Sequence, residues 1–357
     1  MTAEHNYRIA SIPGDGVGKE VVAAGRAVLD ALADRSGGAF QLDWQEFPWG
    51  SDYYHETGEM MPADGIAQVS QFDAIYFGAV GWPTVPDHVS LWGLRLALCQ
   101  GLDQWANVRP VSFLPGITPK VRTASQELDW VVVRENSEGE YSGIGGRNFA
   151  GRADQREIAI ETAVFTSYGC ERIMRFAFDL ARTRSVKKVT SVTKSNAQRH
   201  GMVMWDQIFV EVAADYPDVA TESVLVDAMA ARFVLAPESL SVVVASNLFA
   251  DILSDLGSAM AGSLGLAASA NLNPEGRTPS MFEPVHGSAP DIAGKGLANP
   301  VGAFGSAVLM LEHLGLKHYA DQLDKAVRAV SHAGIMTRDV GGTAITDEVV
   351  AAVIAQL

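Results

Sequence analysis

Short β-branched runs alternate with segments of helical period along the chain. Tyr7–Ile12, Ala74–Phe77, Trp130–Val133, Lys188–Val192, Val224–Val226 and Ser241–Ala245 read as strands. The segments between them follow a helical period, which makes this an α/β chain. Arg134, Lys194, Asp227 and Asn247 follow such strands directly, at the end where α/β sheets usually bind ligands. Gly- and Pro-rich stretches at Gly78–Pro86, Arg109–Pro119 and Leu272–Pro300 read as irregular. Domain crossings are expected near residues 105 and 260, and neither an internal repeat nor a low-complexity tract is visible.

One helical segment breaks the usual apolar pattern. Asn247-Leu-Phe-Ala-Asp-Ile-Leu-Ser-Asp-Leu256 sets Asp251 and Asp255 on one helix face among Leu248, Ile252 and Leu256. Like charges at this spacing repel, and more so where apolar neighbours exclude water, so a divalent cation is the simplest compensation. The competing reading is an acidic first turn capped by Ser246 or Asn247.

Composition narrows the function classes. The 357 residues are 48% hydrophobic, which suits a globular chain of about two domains. The net charge of −15 is spread along the sequence with no Lys/Arg run, which argues against nucleic acid as a partner. Cys99 and Cys170 are far apart and outside any CxxC pattern, which fits a reducing cytoplasm. No signal-peptide core opens the chain, and the weakly apolar Leu256–Leu272 is too rich in Gly, Ala and Ser to read as a membrane span. A cytoplasmic protein with no membrane partner is expected.

Other segments carry candidate chemistry. Ile12-Pro-Gly-Asp-Gly-Val-Gly-Lys-Glu20 joins a strand to a helix, but Lys19 stands where a Rossmann turn needs glycine. Pro13 and Glu20 likewise depart from a P-loop, so the segment reads as a glycine-rich turn. Arg95, Arg109 and Arg134 could grip carboxylates bidentately; each alone could equally be a surface ion pair. Lys194, just past a strand, and Tyr141, in the Gly-rich loop Glu138–Gly146, could serve as base and acid. The long loop from Phe282 to Pro300 offers backbone amides for a pyrophosphate, and Asp291 could bond ribose hydroxyls while repelling a 2′-phosphate.

Taken together, Gly14-Asp-Gly-Val-Gly, Leu94-Arg95, Asn107-Val-Arg109-Pro, Arg134-Glu135, Lys194-Ser-Asn196, Asn247-Leu-Phe-x-Asp251-x-x-x-Asp255 and His286-Gly-Ser-Ala-Pro-Asp291 resemble the β-decarboxylating dehydrogenases. This family acts on isocitrate, 3-isopropylmalate, tartrate and D-malate, and the resemblance covers nearly the whole chain. It implies an isopropylmalate-dehydrogenase-like two-domain α/β fold, with a large mixed sheet flanked by helices, that is not a Rossmann fold. The implied domains are a discontinuous cofactor-binding one (1–104 plus 262–357) and a small one (105–261) carrying the dimer interface, with the active site in the cleft. It further implies a homodimer with shared active sites, in which Lys194 and Asp227 are lent across the interface. Asp227, Asp251 and Asp255 would hold Mg²⁺ or Mn²⁺, Arg95, Arg109 and Arg134 the substrate carboxylates, and Lys194 and Tyr141 the moving protons. The cofactor contacts would be Asn196, Glu283, His286, Gly287, Ser288, Ala289, Asp291 and Asn299. Asp291 stands where NADP-dependent relatives place a cationic or phosphate-tolerant residue, which points to NAD; K⁺ is included as an expected monovalent activator.

The segment before Arg95 reads the substrate's third substituent in this family. Isopropylmalate enzymes usually carry a Leu-Leu pair there, preceded by Glu, whereas this chain has Leu91-Trp92 and His88. Trp92 would fill the apolar pocket and His88 would make it polar. Isocitrate enzymes use Ser and Asn at positions that read Val89 and Leu91 here. A four-carbon hydroxy diacid remains, and Trp49–Pro62 with Cys99–Trp105 resembles the tartrate and D-malate branch. The alternatives are a 3-isopropylmalate enzyme with an unusual pocket and, from another class, a non-catalytic metal- or nucleotide-binding relative.

Overall fold

The computed structural model of the protein describes residues 5–123, 128–152 and 156–357. The chain divides into two units, one from both chain ends (up to Asp129, and Asp255–Leu357) and one from Trp130–Ser254. Its strands are β1 (His5–Gly14), β2 (Phe40–Glu46), β3 (Ala74–Ala79), β4 (Ala106–Ser112), β5 (Asp129–Glu135), β6 (Gly139–Asn148), β7 (Ile158–Val164), β8 (Lys188–Thr193), β9 (Ala220–Leu225), β10 (Val242–Ala245), β11 (Ala268–Leu272) and β12 (Ser280–Pro284).

In the unit formed by both ends the strand order is β2-β1-β3-β12-β11-β4. β1, β2, β3 and β12 run parallel, while β11 is antiparallel to both its neighbours, so the sheet is mixed. An antiparallel strand in mid-sheet, together with this order, sets the fold apart from the all-parallel 3-2-1-4-5-6 arrangement of a dinucleotide-binding sheet. β3 is buried along its whole length, as expected of a strand covered on both faces. Helices Gly18–Arg35, Val301–His313, Lys317–His332 and Thr346–Gln356 belong to this unit. The hydroxyl of buried Tyr76 on β3 donates to Ala303 O of one of them at 2.7 Å. β4 belongs here because it pairs along β11, so the division falls after Asp129 and before Asp255 rather than near 105 and 260.

The Trp130–Ser254 unit has a parallel order β5-β10-β8-β9 and a separate antiparallel hairpin of β6 and β7. β10 is Val-Val-Val-Ala and wholly buried, the composition a central parallel strand requires. Trp130 meets Phe233 edge to face at 5.6 Å, and buried Trp205 donates its indole N–H to Ser191 Oγ at 2.9 Å. Helix Ser167–Thr183 is capped by Thr166, whose side chain accepts from Gly169 N–H at 2.9 Å.

Several sequence expectations change. Val226 opens a helix instead of closing a strand, because the paired segment is Ala220–Leu225 in register with β8. Arg109–Pro119 and Leu272–Pro300 are not wholly irregular, since β4 and β12 run into or through them. Among the described residues, no helix is long and apolar enough to cross a membrane.

Candidate active site

Two of the arginines sit in one polar network of the unit formed by both chain ends. Asn107 and Arg109 alternate on β4 and share a strand face, and Arg109 Nε donates to Asn107 Oδ1 at 2.7 Å. Asn107 in turn donates to Ser269 Oγ (2.7 Å) and Asn271 Oδ1 (2.9 Å) on β11. Asn271 donates to Glu283 Oε1 on β12 at 2.7 Å. Glu283 accepts from Arg95 Nε (2.9 and 3.1 Å) and Nη2 (2.6 Å). Three paired strands thus fix two guanidinium groups through side-chain amides. The Arg95–Glu283 pair is nearly buried on both sides, so removing either partner would cost about 3–5 kcal/mol. Asn271 carries no mark in the sequence, whereas Asn107 is legible from its spacing to Arg109.

Arg95 ends a π-helical turn, Leu91–Arg95, in which Leu96 N–H bonds to Leu91 O. Such turns add a residue to the helical register and recur at functional sites. Leu91 is half-buried, Trp92 is 38% exposed and His88 is exposed on the helix just before it. Trp49, Met60 and Cys99 of the two branch-like segments are buried in the same core cluster as Leu94, so these residues support this turn from beneath.

The loop after β12 is built tightly. Ala289 has φ +40°, a strained value for a residue with a side chain. Ser288 O accepts from Val17 N–H at 2.8 Å. His286 is half-buried, its Nδ1 contacts Gly287 O at 2.9 Å, and its Nε2 is buried with no hydrogen-bond partner. Burial holds the imidazole below its ordinary pKa, against opposing pulls from Asp339 and Glu283. Asp291 is exposed, and the Lys295 ammonium reaches its backbone carbonyl at 2.6 Å. Asn299 Oδ1 accepts from Val301 N–H at 3.1 Å, and its amide donates to Asp339 at 2.9 Å. The loop's amides are not all available to a pyrophosphate, because Gly294 and Gly296 donate theirs to Glu20. An exposed aspartate and an imidazole nitrogen with no hydrogen-bond partner, carried by one loop, still fit a dinucleotide carrying hydroxyl groups.

In the Trp130–Ser254 unit, Arg134 at the end of β5 is 2% exposed. Its Nε and Nη2 donate to Asn247 Oδ1 at 2.9 and 2.6 Å, and its Nη1 pairs with Asp251. Tyr141 donates to Asp251 Oδ2 at 3.1 Å, and the Arg134 guanidinium lies 5.2 Å from its ring centroid. Tyr141 is therefore held on a strand, β6, and not in a loop. Lys194, in the turn after β8, bonds Asp227 Oδ1 at 2.5 Å, and the ammonium holds that carboxyl below the usual carboxylate range. Asn196 lies exposed in the same turn.

Helix Asn247–Ala261 carries Asp251 and Asp255, and neither lies in its first turn. Asn247 Oδ1 is taken by Arg134 and its amide donates to Glu138 O, so Asn247 does not cap the helix through its oxygen. The acidic-first-turn reading is thereby excluded. Asp255 is half exposed, 4.0 Å from Arg109 Nη1. Among the described residues of one chain, no three His, Cys, Asp or Glu side chains gather around a point that could hold a metal. The donors at hand are all carboxylates, and Asp227 and Asp251 face cationic side chains; such hard oxygen donors suit Mg²⁺ or Mn²⁺.

Residues 8–353 match the family model described as isocitrate/isopropylmalate dehydrogenase. The chain belongs to the isocitrate/isopropylmalate dehydrogenase family. It is thus an oxidoreductase. It is 60% identical over 348 residues to a probable tartrate dehydrogenase/decarboxylase of Agrobacterium vitis, covering 97% of this chain and 96% of that one. It is 48% identical to a decarboxylating D-malate dehydrogenase of Escherichia coli (strain K12), covering 97% of each. Among solved structures, isocitrate dehydrogenase from Methylococcus capsulatus superposes with a TM-score of 0.87 at 35% identity, covering 98% of this chain and 99% of that one. The mixed α/β architecture is the family's.

Proposed function

We propose that this family member is an NAD-dependent, divalent-metal-dependent enzyme that oxidises a four-carbon 2-hydroxy diacid, tartrate or D-malate, and decarboxylates the product where a β-carboxylate is labilised. The observation that carries the substrate choice is the segment leading to Arg95, where Trp92 and His88 stand in place of the Leu and Glu that isopropylmalate enzymes usually carry. The names of the relatives at 60% and 48% identity support the same choice. A pocket that tolerates or lacks one hydroxyl separates such substrates by only about 10²-fold or less, so both acids should turn over.

Each group has a separable task. Arg95, Arg109 and Arg134 bind the two carboxylates and orient C2 toward the nicotinamide. Lys194 of the second subunit accepts the C2 hydroxyl proton, directly or through water, as hydride leaves. Carbon dioxide then departs from the 2-keto acid and Tyr141 returns a proton to C3. Asp251, Asp255 and Asp227 of a second subunit would hold the divalent cation, which supplies electrophilic stabilisation of the developing negative charge. His286, Asp291 and their loop would seat the dinucleotide, with Asp291 favouring NAD by repelling a 2′-phosphate.

The test is NADH appearance with D-malate, L-tartrate, meso-tartrate, isopropylmalate and isocitrate, in the presence of Mn²⁺ and K⁺. D-malate or a tartrate should be fastest, NADP should be a poor substitute, and EDTA should abolish turnover. Faster turnover of isopropylmalate than D-malate would sink the substrate assignment, and activity surviving EDTA would sink the metal.

A further inference from the structure

The glycine-rich turn after β1 takes no part in the chemistry above, yet its contacts converge on the loop of His286 and Asp291. Asp15 is buried and anchors the turn, accepting from Ser51 N–H and Oγ (2.7 Å each) and from Gly81 N–H (2.8 Å). Gly16 has φ +55°, and a Cβ there would lie 2.0 Å from Ser288 O, so only glycine allows this approach. Val17 N–H closes the contact on the same carbonyl at 2.8 Å.

In the first turn of helix Gly18–Arg35, Glu20 completes the set. Its Oε1 accepts from Gly294 N–H at 2.5 Å and its Oε2 from Gly296 N–H at 3.0 Å. Gly294 and Gly296 have φ +74° and +64°, on either side of Lys295. Left-handed residues of this kind let nearby N–H groups face one side and form a cradle for an anion. Here the anion is the protein's own carboxylate, placed where the helix dipole favours it.

We propose that Glu20 is a positioning residue for the cofactor: it fixes the Gly294–Gly296 end of the loop while Gly16 and Val17 fix Ser288, so that His286 and Asp291 are ordered before the dinucleotide arrives. This rests on the reading of that loop as the NAD site. Ordering a loop in advance lowers the entropic cost of binding and leaves the chemical step alone. The proposal therefore separates cofactor affinity from turnover.

Glu20→Ala, Glu20→Gln and, as a reference, Asp291→Ala are compared with the full-length parent. The readouts are KM for NAD and for D-malate, kcat, NADH affinity by fluorescence, and hydrogen exchange without ligand across the unit formed by both chain ends, including residues 18–35 and 285–299. Glu20→Ala should weaken NADH and raise KM for NAD by about tenfold, with kcat within about twofold. Exchange should quicken at Gly294 and Gly296 while helix Gly18–Arg35 stays protected. Glu20→Gln, which keeps one strong acceptor oxygen, should fall between. If Asp291→Ala weakens NADH but neither Glu20 variant does, the positioning role is overturned and the cofactor reading stands. If Asp291→Ala leaves NADH affinity unchanged, the cofactor reading falls and this proposal with it. Equal losses in kcat and both KM values, with exchange quickened throughout the unit, would show a general structural role and overturn it.

Discussion

Trp92 is a large apolar side chain left 38% exposed on a turn whose neighbours Leu94 and Gly93 are tied into the core or pressed against it. A Cβ on Gly93 would lie 2.8 Å from Met60 Cγ, so the turn cannot sink further and Trp92 must stand away from the core. That placement suits a wall of the substrate pocket. Replacing Trp with Leu would open space for several carbon atoms, each worth about 0.8 kcal/mol when buried. Trp92→Leu should therefore raise kcat/KM for isopropylmalate by about tenfold or more and lower it for D-malate. Steady-state rates on the two acids check this, and an unchanged ratio would mean that Trp92 does not set the pocket size.

At the scale of elements, the placement of Tyr141 makes a sharper expectation than its sequence context allows. On β6 its hydroxyl is tied to Asp251 and its ring faces Arg134, so the phenol is held in place beside two groups assigned to metal and substrate. Tyr141→Phe should cut turnover of D-malate, which needs a proton returned to C3, by about 10²-fold or more. A substrate released as the oxidised keto acid needs no such proton and should lose much less. Product analysis by NADH and CO₂ yield separates the two, and equal losses would remove Tyr141 from the protonation step. Sequence reading missed the strand because Gly139, Gly143, Gly145 and Gly146 interrupt it, and because Ile144, Ile158 and Ile160 of the hairpin are exposed, so no burial pattern marks the pairing. β8 and β10 were legible for the opposite reason: strands buried on both faces are rich in β-branched residues, here Val189, Thr190, Val192 and Thr193 in β8 and Val242, Val243 and Val244 in β10. β4 was hidden by Pro110, and β12 by the irregular stretches on either side of it. Of the site, the charged residues were readable as types and spacings, while the amides that hold them, Asn271 and those of Gly294 and Gly296, follow only from strand pairing and backbone dihedrals.

At the scale of the whole molecule, Lys194 and Asp227 bond each other within one chain, whereas the proposed chemistry uses both beside Asp251 and Asp255. Among the described residues a single chain brings no third acid to the pair on helix Asn247–Ala261. The proposed symmetric homodimer, in which each subunit would lend Lys194 and Asp227 to the other, would resolve this, since a two-fold interface repeats every loan in both directions. Such sharing makes a prediction that a self-contained active site does not. Lys194→Ala and Asp251→Asn, each nearly inactive alone, disable the lending and the receiving side respectively. In a hybrid dimer one of the two sites then carries both mutations and the other carries neither. Random assembly of equal amounts should restore roughly one quarter of the activity of the unmutated dimer. Co-expression with two affinity tags, isolation of the doubly tagged species and assay with D-malate and Mn²⁺ give the measurement, and the purified hybrid should show about half the rate of the unmutated dimer. Hybrids as inactive as their parents would place Lys194 and Asp251 of the same chain in one site.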